Sequence, residues 1–299
     1  MRQNRPSGEQ TPTRALAALG DAELLALLRE DVPYGDLTTE ALGVGDVEGS
    51  ISFIGRRGMV ACGTEEAARL FALCGAQAWV DARSGSALAP RAELLHAVGP
   101  AAGLLAVWKV AQNLVEWTSG IATAAARLVA AVREAGLDVP VACTRKAFPG
   151  TRDLASKAVV AGGATLHRLG LSESVLVFPE HRVFLSEHDG AWLKSLRDRE
   201  RERRLTVEVT SIEQALGFAK AGAEALQLER FSPGAIAQCR AELEALQLRP
   251  LLLAAGGVTE SNAADYARAG ADVLVSSAPY QALPADVQVV VRKLPVLEA

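Results

Sequence analysis

The chain has 299 residues, 49% hydrophobic and 22% charged, the make-up of a packed globule long enough for two domains. Its formal net charge of −4 excludes the global basic field of a nucleic-acid binder. No apolar run reaches the roughly 18 residues a membrane span needs, and Met1 to Thr13 lacks the apolar core of a signal peptide, so a cytoplasmic location is expected. The four cysteines (Cys62, Cys74, Cys143, Cys239) show no Cys-x-x-Cys spacing and are expected reduced and buried.

In chain order, 1–13 reads as a polar tail. Asp21 to Arg29 carries apolar residues at helical spacing, with Asp21 as N-cap. From Gly49 to Pro100 short strands and glycine-marked turns surround one helix, Glu65 to Cys74. Ala101 to Gly136 is Ala-rich and helical, with a break predicted at Ser119-Gly120. Beyond Gly136 apolar runs alternate with helical stretches: Val139–Cys143 then Asp153–Ala161, and Ser174–Phe178 then a stretch through Arg203. Leu205–Val209 precedes Ile212–Ala221, Ala225–Leu228 precedes Pro233–Leu246, and Pro250–Ala254 precedes Glu260–Ala269 and Val273–Ser276. Strands this apolar are covered on both faces, as in parallel sheets. Functional residues at each strand's C-terminal end favour a barrel over an open sheet, and no Gly-x-Gly-x-x-Gly opens the first unit. The mixed-charge run Lys194 to Arg204 reads as a solvated helix laced with ion pairs.

The chemistry concentrates in two segments, Thr144-Arg145-Lys146-Ala147-Phe148-Pro149-Gly150 and Gly162-Gly163-Ala164-Thr165-Leu166-His167-Arg168. Three cations and a histidine, with glycines that let backbone approach an anion, suggest a phosphate grip at the ends of a strand and of the following helix–loop. Glu208, flanked by valines in Thr206-Val207-Glu208-Val209, is costly on a buried strand unless paired, which favours a pocket role beside Arg145 and Lys146. Glu229 ends Leu226-Gln227-Leu228. Gly256-Gly257 and Ser276-Ser277 occupy the last two loops, where barrels commonly bind phosphate, although an ordinary turn would account for the glycines alone. Cations for phosphates with acids facing inward suit displacement of pyrophosphate from a phosphoribosyl group. Arg145, Lys146, His167 and Arg168 would hold phosphates. Glu208 and Glu229 would bind Mg²⁺ or ribose hydroxyls, or stabilise an oxocarbenium-like centre.

Thr-Arg-Lys-x-x-Pro-Gly followed by Gly-Gly-x-x-x-His-Arg-x-Gly-Leu-Ser resembles the quinolinate (nicotinate-nucleotide) type II phosphoribosyltransferases. Glu30-Asp31-Val32-Pro33-Tyr34-Gly35-Asp36-Leu37-Thr38-Thr39, Ser119-Gly120-Ile121-Ala122-Thr123, Val207-Glu208-Val209 and Gly256-Gly257-Val258-Thr259 extend the resemblance over nearly the whole chain. It implies an incomplete α/β barrel of six or seven strands behind an N-terminal α+β open-faced sandwich. The implied domains are 1–118, 119–280, and a segment 281–299 packing back on the first. It also implies similar roles for Lys146, Glu208 and Glu229 in catalysis, small-molecule substrates, and a homodimer in which the partner completes the site at the position of Trp117.

Three departures point to the molybdenum-transport-associated ModD branch of that superfamily. Trp117 stands where the family has Arg, Phe178 where it has Lys, and Leu253-Ala254-Ala255 where it has Glu-Ala-Ser. The lost Arg and Lys are expected to face a dicarboxylate, so the acceptor here is expected to be another heterocycle, stacked on Trp117 and Phe178. Two readings stay open beside this one. One is a carboxylating nicotinate-nucleotide pyrophosphorylase making NAD precursor, with Arg182 or His181 replacing the missing cations. The other is a non-catalytic sensor of phosphate ligands linked to molybdate transport.

Overall fold

The computed structural model describes residues 18–185 and 192–295; the polar tail over 1–13 lies outside them. The chain divides into a unit of Met1–Ser119 with Ala285–Ala299 and a unit of Gly120–Pro284.

In the first unit, helix α1 (Asp21–Asp31) and short helix α2 (Leu37–Leu42) precede β1 (Glu48–Gly55) and β2 (Met59–Val60). Helix α3 (Thr64–Leu73), β3 (Gln77–Val80), β4 (Ala87–Leu88) and β5 (Glu93–Pro100) follow. The cap of α1 is Gly20, not Asp21. Gly20 N donates to Glu23 Oε2 at 2.7 Å, and Asp21 is instead engaged by Arg69 of α3 at 2.6 Å. Asp36 caps α2 by accepting from the amides of Thr38 and Thr39. The last strand of the chain, β13 (Val287–Lys293), pairs with β1 from Gly49↔Lys293 to Gly55↔Val287. The antiparallel sheet runs β13-β1-β5-β3, an open-faced layer packed by α3. Fully buried Phe53 of β1 and Phe71 of α3 meet edge to face at 5.9 Å.

Helix α4 (Ala101–Glu134) is continuous over 34 residues, so the predicted break at Ser119-Gly120 is not there. Gly120 serves close approach. A Cβ at Gly120 would stand 2.4 Å from the Leu283 carbonyl oxygen, nearer than atoms can pack. Ser119 and Thr118 hydrogen-bond to the backbone of Cys62, which a helix tolerates without breaking.

The second unit holds β6 (Val141–Cys143), α5 (Arg152–Ala161), β7 (Thr165–Leu166), β8 (Val175–Val177), α6 (Pro179–Arg182) and α7 (Trp192–Arg199). It continues with β9 (Leu205–Val209), α8 (Ile212–Lys220), β10 (Ala225–Glu229), α9 (Pro233–Ala245), β11 (Leu251–Ala255), α10 (Ala263–Arg268) and β12 (Val273–Ser276). Its seven strands pair in parallel in the order β7-β6-β12-β11-β10-β9-β8, an α/β barrel left open between β7 and β8. Strands β10 and β11 are buried along almost their whole length, as two-sided cover requires. Ala225, Leu253, Ala255 and Val275 form an apolar cluster across β10, β11 and β12.

Strand β7 went unread in the sequence because two residues carry no periodicity. It pairs with β6 at Cys143↔Leu166, so His167 and Arg168 follow a strand rather than a helix–loop. Gly162 is not an anion cradle either. A Cβ there would meet the Ala122 carbonyl oxygen of α4 at 2.4 Å, so it is a close-packing glycine. The mixed-charge run is partly α7, with exposed pairs Arg201–Asp198 at 3.8 Å and Arg197–Glu224 at 3.6 Å. All four cysteines are free. Burial pushes the Cys143 thiol up to about 12 and that of Cys239 to about 11, so neither is a thiolate at neutral pH.

Candidate active site

The C-terminal ends of the parallel strands surround a cavity of about 880 Å³. One wall is cationic. Arg145 and Lys146 follow β6, and His167 and Arg168 follow β7; all four line the cavity. Hydrogen bonds fix these loops: Lys146 N donates to Thr144 Oγ1, Thr144 N to the Ser276 carbonyl, and His167 N to the Cys143 carbonyl. Tyr280 donates its hydroxyl to the Thr144 carbonyl at 2.8 Å.

Arg168 is only 5% exposed, yet no carboxylate among the described residues lies within ion-pair reach of it, of Arg145 or of Lys146. Its guanidinium lies 5.4 Å from the Phe178 ring centre. Burial, and then the charge of Arg145, lower the pKa of Arg168. Burial and the neighbouring Arg168 also hold His167 below the usual histidine value, against a weaker pull from Glu173. His167 is therefore neutral at pH 7 and enters the site as a hydrogen-bonding ring rather than a cation.

The facing wall is acidic. Glu208 on β9 and Glu229 on β10 line the cavity. Burial raises the pKa of Glu208; a hydrogen bond from Gln227 Nε2 to its Oε2 at 2.5 Å opposes this, while Glu229 and Glu180 push it further up and Lys146 pulls it down. Glu229 Oε1 lies 3.7 Å from Arg230 Nε. Parallel register puts Gln227 beside Glu208, and alternation along β10 puts Gln227 and Glu229 on one face. Gln227, and Glu180 of α6, were missed in the sequence; for Gln227 the signal was its place two residues before Glu229.

The loop after β11 completes the cavity with Gly256 at φ +81° and Gly257 at φ +97°, conformations glycine favours. A Cβ on Gly256 would lie 2.7 Å from Glu229 Oε1. Ser277 lines the cavity and Ser276 does not, a correction to the paired assignment. Ser276 is 2% exposed; its hydroxyl donates to the Val258 carbonyl at 2.6 Å and accepts from Ala278 N, tying the two loops together.

Phe178 lines the cavity, whereas Trp117 belongs to the first unit and is not among its lining residues. His181 and Arg182 do not line it. His181 Nδ1 accepts from Phe178 N and its ring stacks on Phe178, and Arg182 lies over Phe218. Among the described residues no three His, Cys, Asp or Glu side chains are grouped to hold a metal by themselves.

The models of the quinolinate phosphoribosyl transferase N- and C-terminal domains match residues 36–119 and 121–290. The ModD protein of Rhodobacter capsulatus, provisionally named a pyrophosphorylase, is 47% identical over 253 residues, covering 84% of this chain and 97% of its own. The carboxylating nicotinate-nucleotide pyrophosphorylase of Rattus norvegicus is 34% identical over 201 residues, 67% of each chain. In fold, the crystal structure of nicotinate-nucleotide pyrophosphorylase from Ehrlichia chaffeensis superposes with a TM-score of 0.84 at 21% identity, over 92% of this chain and 99% of that one.

Proposed function

Because this chain belongs to the quinolinate phosphoribosyl transferase family, we propose that it transfers a phosphoribosyl group from phosphoribosyl pyrophosphate to a heterocycle other than quinolinate. The observation that carries this reading is the pairing of Arg168, a buried cation without an acid partner among the described residues, with Phe178 in a cavity whose far wall holds Glu208 and Glu229. A buried unpaired charge costs stability that a ligand anion would restore. Arg145, Lys146 and Arg168 neutralise phosphate oxygens. Gly256, Gly257 and Ser277 offer close backbone approach and a hydroxyl. Glu208 and Glu229 face the positive charge that builds on the sugar as pyrophosphate leaves.

Mg²⁺ fits this site. It takes one or two carboxylates plus substrate phosphates rather than an all-protein cage, and Glu208 and Glu229, which repel one another, are such a pair. When bound it supplies charge neutralisation on the phosphates.

The acceptor reading rests on Phe178 and Trp117 standing where the resemblance places cations. Quinolinate would bury two carboxylates with those partners gone, so specificity turns against it. We assign Trp117 to the cavity of a second copy, in a cytoplasmic homodimer, and the resemblance to the molybdenum-transport-associated branch carries a link to molybdenum metabolism. A monomer at micromolar concentration in sedimentation would remove Trp117 from the site.

The test is release of carbon dioxide and nicotinate mononucleotide from quinolinate and phosphoribosyl pyrophosphate, beside a thermal-shift titration with phosphoribosyl pyrophosphate and Mg²⁺. We expect stabilisation and turnover orders of magnitude below a carboxylating enzyme. Trp117→Arg with Phe178→Lys should restore some quinolinate binding, more than either change alone. Robust turnover by the unmutated protein would overturn the acceptor reading, and no stabilisation by the Mg²⁺ complex would overturn the donor reading.

A further inference from the structure

Gln227 has no evident place in an apolar barrel interior. It is 6% exposed, lines the cavity, and lies on the strand that contributes Ala225 to the apolar cluster with Leu253, Ala255 and Val275. Its Oε1 is buried with no hydrogen-bond partner among the described residues, which costs stability outright. A methionine fills the same volume with no amide to satisfy. Among the described residues, the one hydrogen bond its side chain makes goes to Oε2 of Glu208. That carboxylate is pulled by Lys146 and Arg182 and repelled by Glu229 and Glu180, all on other elements, so without a tether it has several orientations to choose from.

We propose that Gln227 is a positioning residue: its amide fixes one oxygen of Glu208 on the acid wall and leaves the other for the bound ligand. The inference rests on the reading of Glu208 as a site residue given above. It accounts for an amide kept in an apolar layer at a cost to folding, with its carbonyl unpaired as the consequence of turning Nε2 to Glu208. Gln227 acts through Glu208 and need not touch the reacting atoms.

The experiment has two arms. In ¹⁵N-labelled protein without ligand, the Gln227 side-chain amide should resonate away from ordinary glutamine positions and return to them in Glu208→Ala. In the second arm Gln227→Met should melt no lower than the unmutated protein, yet bind phosphoribosyl pyrophosphate with Mg²⁺ about tenfold more weakly, the scale of one charge-assisted contact. Adding Gln227→Met to Glu208→Ala should then change binding by less than about twofold, because the tether has nothing left to hold. An ordinary Gln227 amide that ignores Glu208→Ala would overturn the proposal. So would a lower melting temperature for Gln227→Met with an equal loss of binding in both backgrounds. If the unmutated protein does not bind the Mg²⁺ complex, the transferase reading fails, while the amide resonance and the melting temperature still decide the role of Gln227.

Discussion

The two walls of the cavity are built on opposite plans. The cationic wall stands on loops after β6 and β7, and its charged side chains have no acid partners among the described residues. The acidic wall stands within β9 and β10, where Glu208 is hydrogen-bonded by Gln227 and Glu229 sits near Arg230. The difference separates gripping from positioning. On the function proposed above, the cations wait for an anion that supplies their missing partner, whereas acids facing a transient positive charge must be held before it appears.

Arg168→Ala should break the comparison most sharply. Losing this charge-assisted contact should weaken binding of phosphoribosyl pyrophosphate with Mg²⁺ by about 1.5–3 kcal/mol, measured by calorimetry. The melting temperature without ligand should hold or rise, since an unpaired buried charge is gone. Unchanged affinity would deny the cationic wall its gripping role. Gly256→Ala tests the acidic side: strain at φ +81° and the 2.7 Å approach to Glu229 Oε1 should cost about 1–3 kcal/mol in denaturant unfolding. Gly257→Ala should cost less, because nothing lies within 4 Å of its added Cβ. Arg145 is solvent-exposed, so Arg145→Ala should weaken donor binding by only about 0.2–1 kcal/mol.

His167 sharpens the contrast through pH. Its folded-state pKa lies below the unfolded value, so its contribution is fully present above about pH 6.5 and is lost as pH falls through the folded value. A bound phosphate should favour the protonated ring, so donor binding near pH 6 should take up protons, about one at most, and His167→Gln should abolish the uptake. Arg201→Ala, which removes only an exposed ion pair at 3.8 Å, should change stability by less than about 0.5 kcal/mol.

Much of the barrel was legible because its strands are continuous apolar runs between helical repeats, and Leu205–Val209 and Val273–Ser276 match the predicted spans. The charged residues at strand ends were legible for the same reason: Glu208 and Glu229 interrupt a pattern that buried strands otherwise keep apolar. What stayed hidden depends on approach in space. Ser119-Gly120 reads as a helix break until the Leu283 carbonyl is found beside it. Ser276 and Ser277 are equivalent in a string of letters, and only the Val258 carbonyl separates them. Gln227 carries no charge to draw notice, and its burial beside Glu208 becomes visible only when β9 and β10 are aligned.

A barrel that stops short of closure keeps two free margins, and each is a row of unpaired amides and carbonyls that a foreign strand can extend. Here β7 offers two residues and β8 three, fewer than the six or so that a stacked cross-β segment takes. The gap between two such stubs is thus a poor template for aggregation. Lengthening either strand to close the barrel would exchange that safety for a seam.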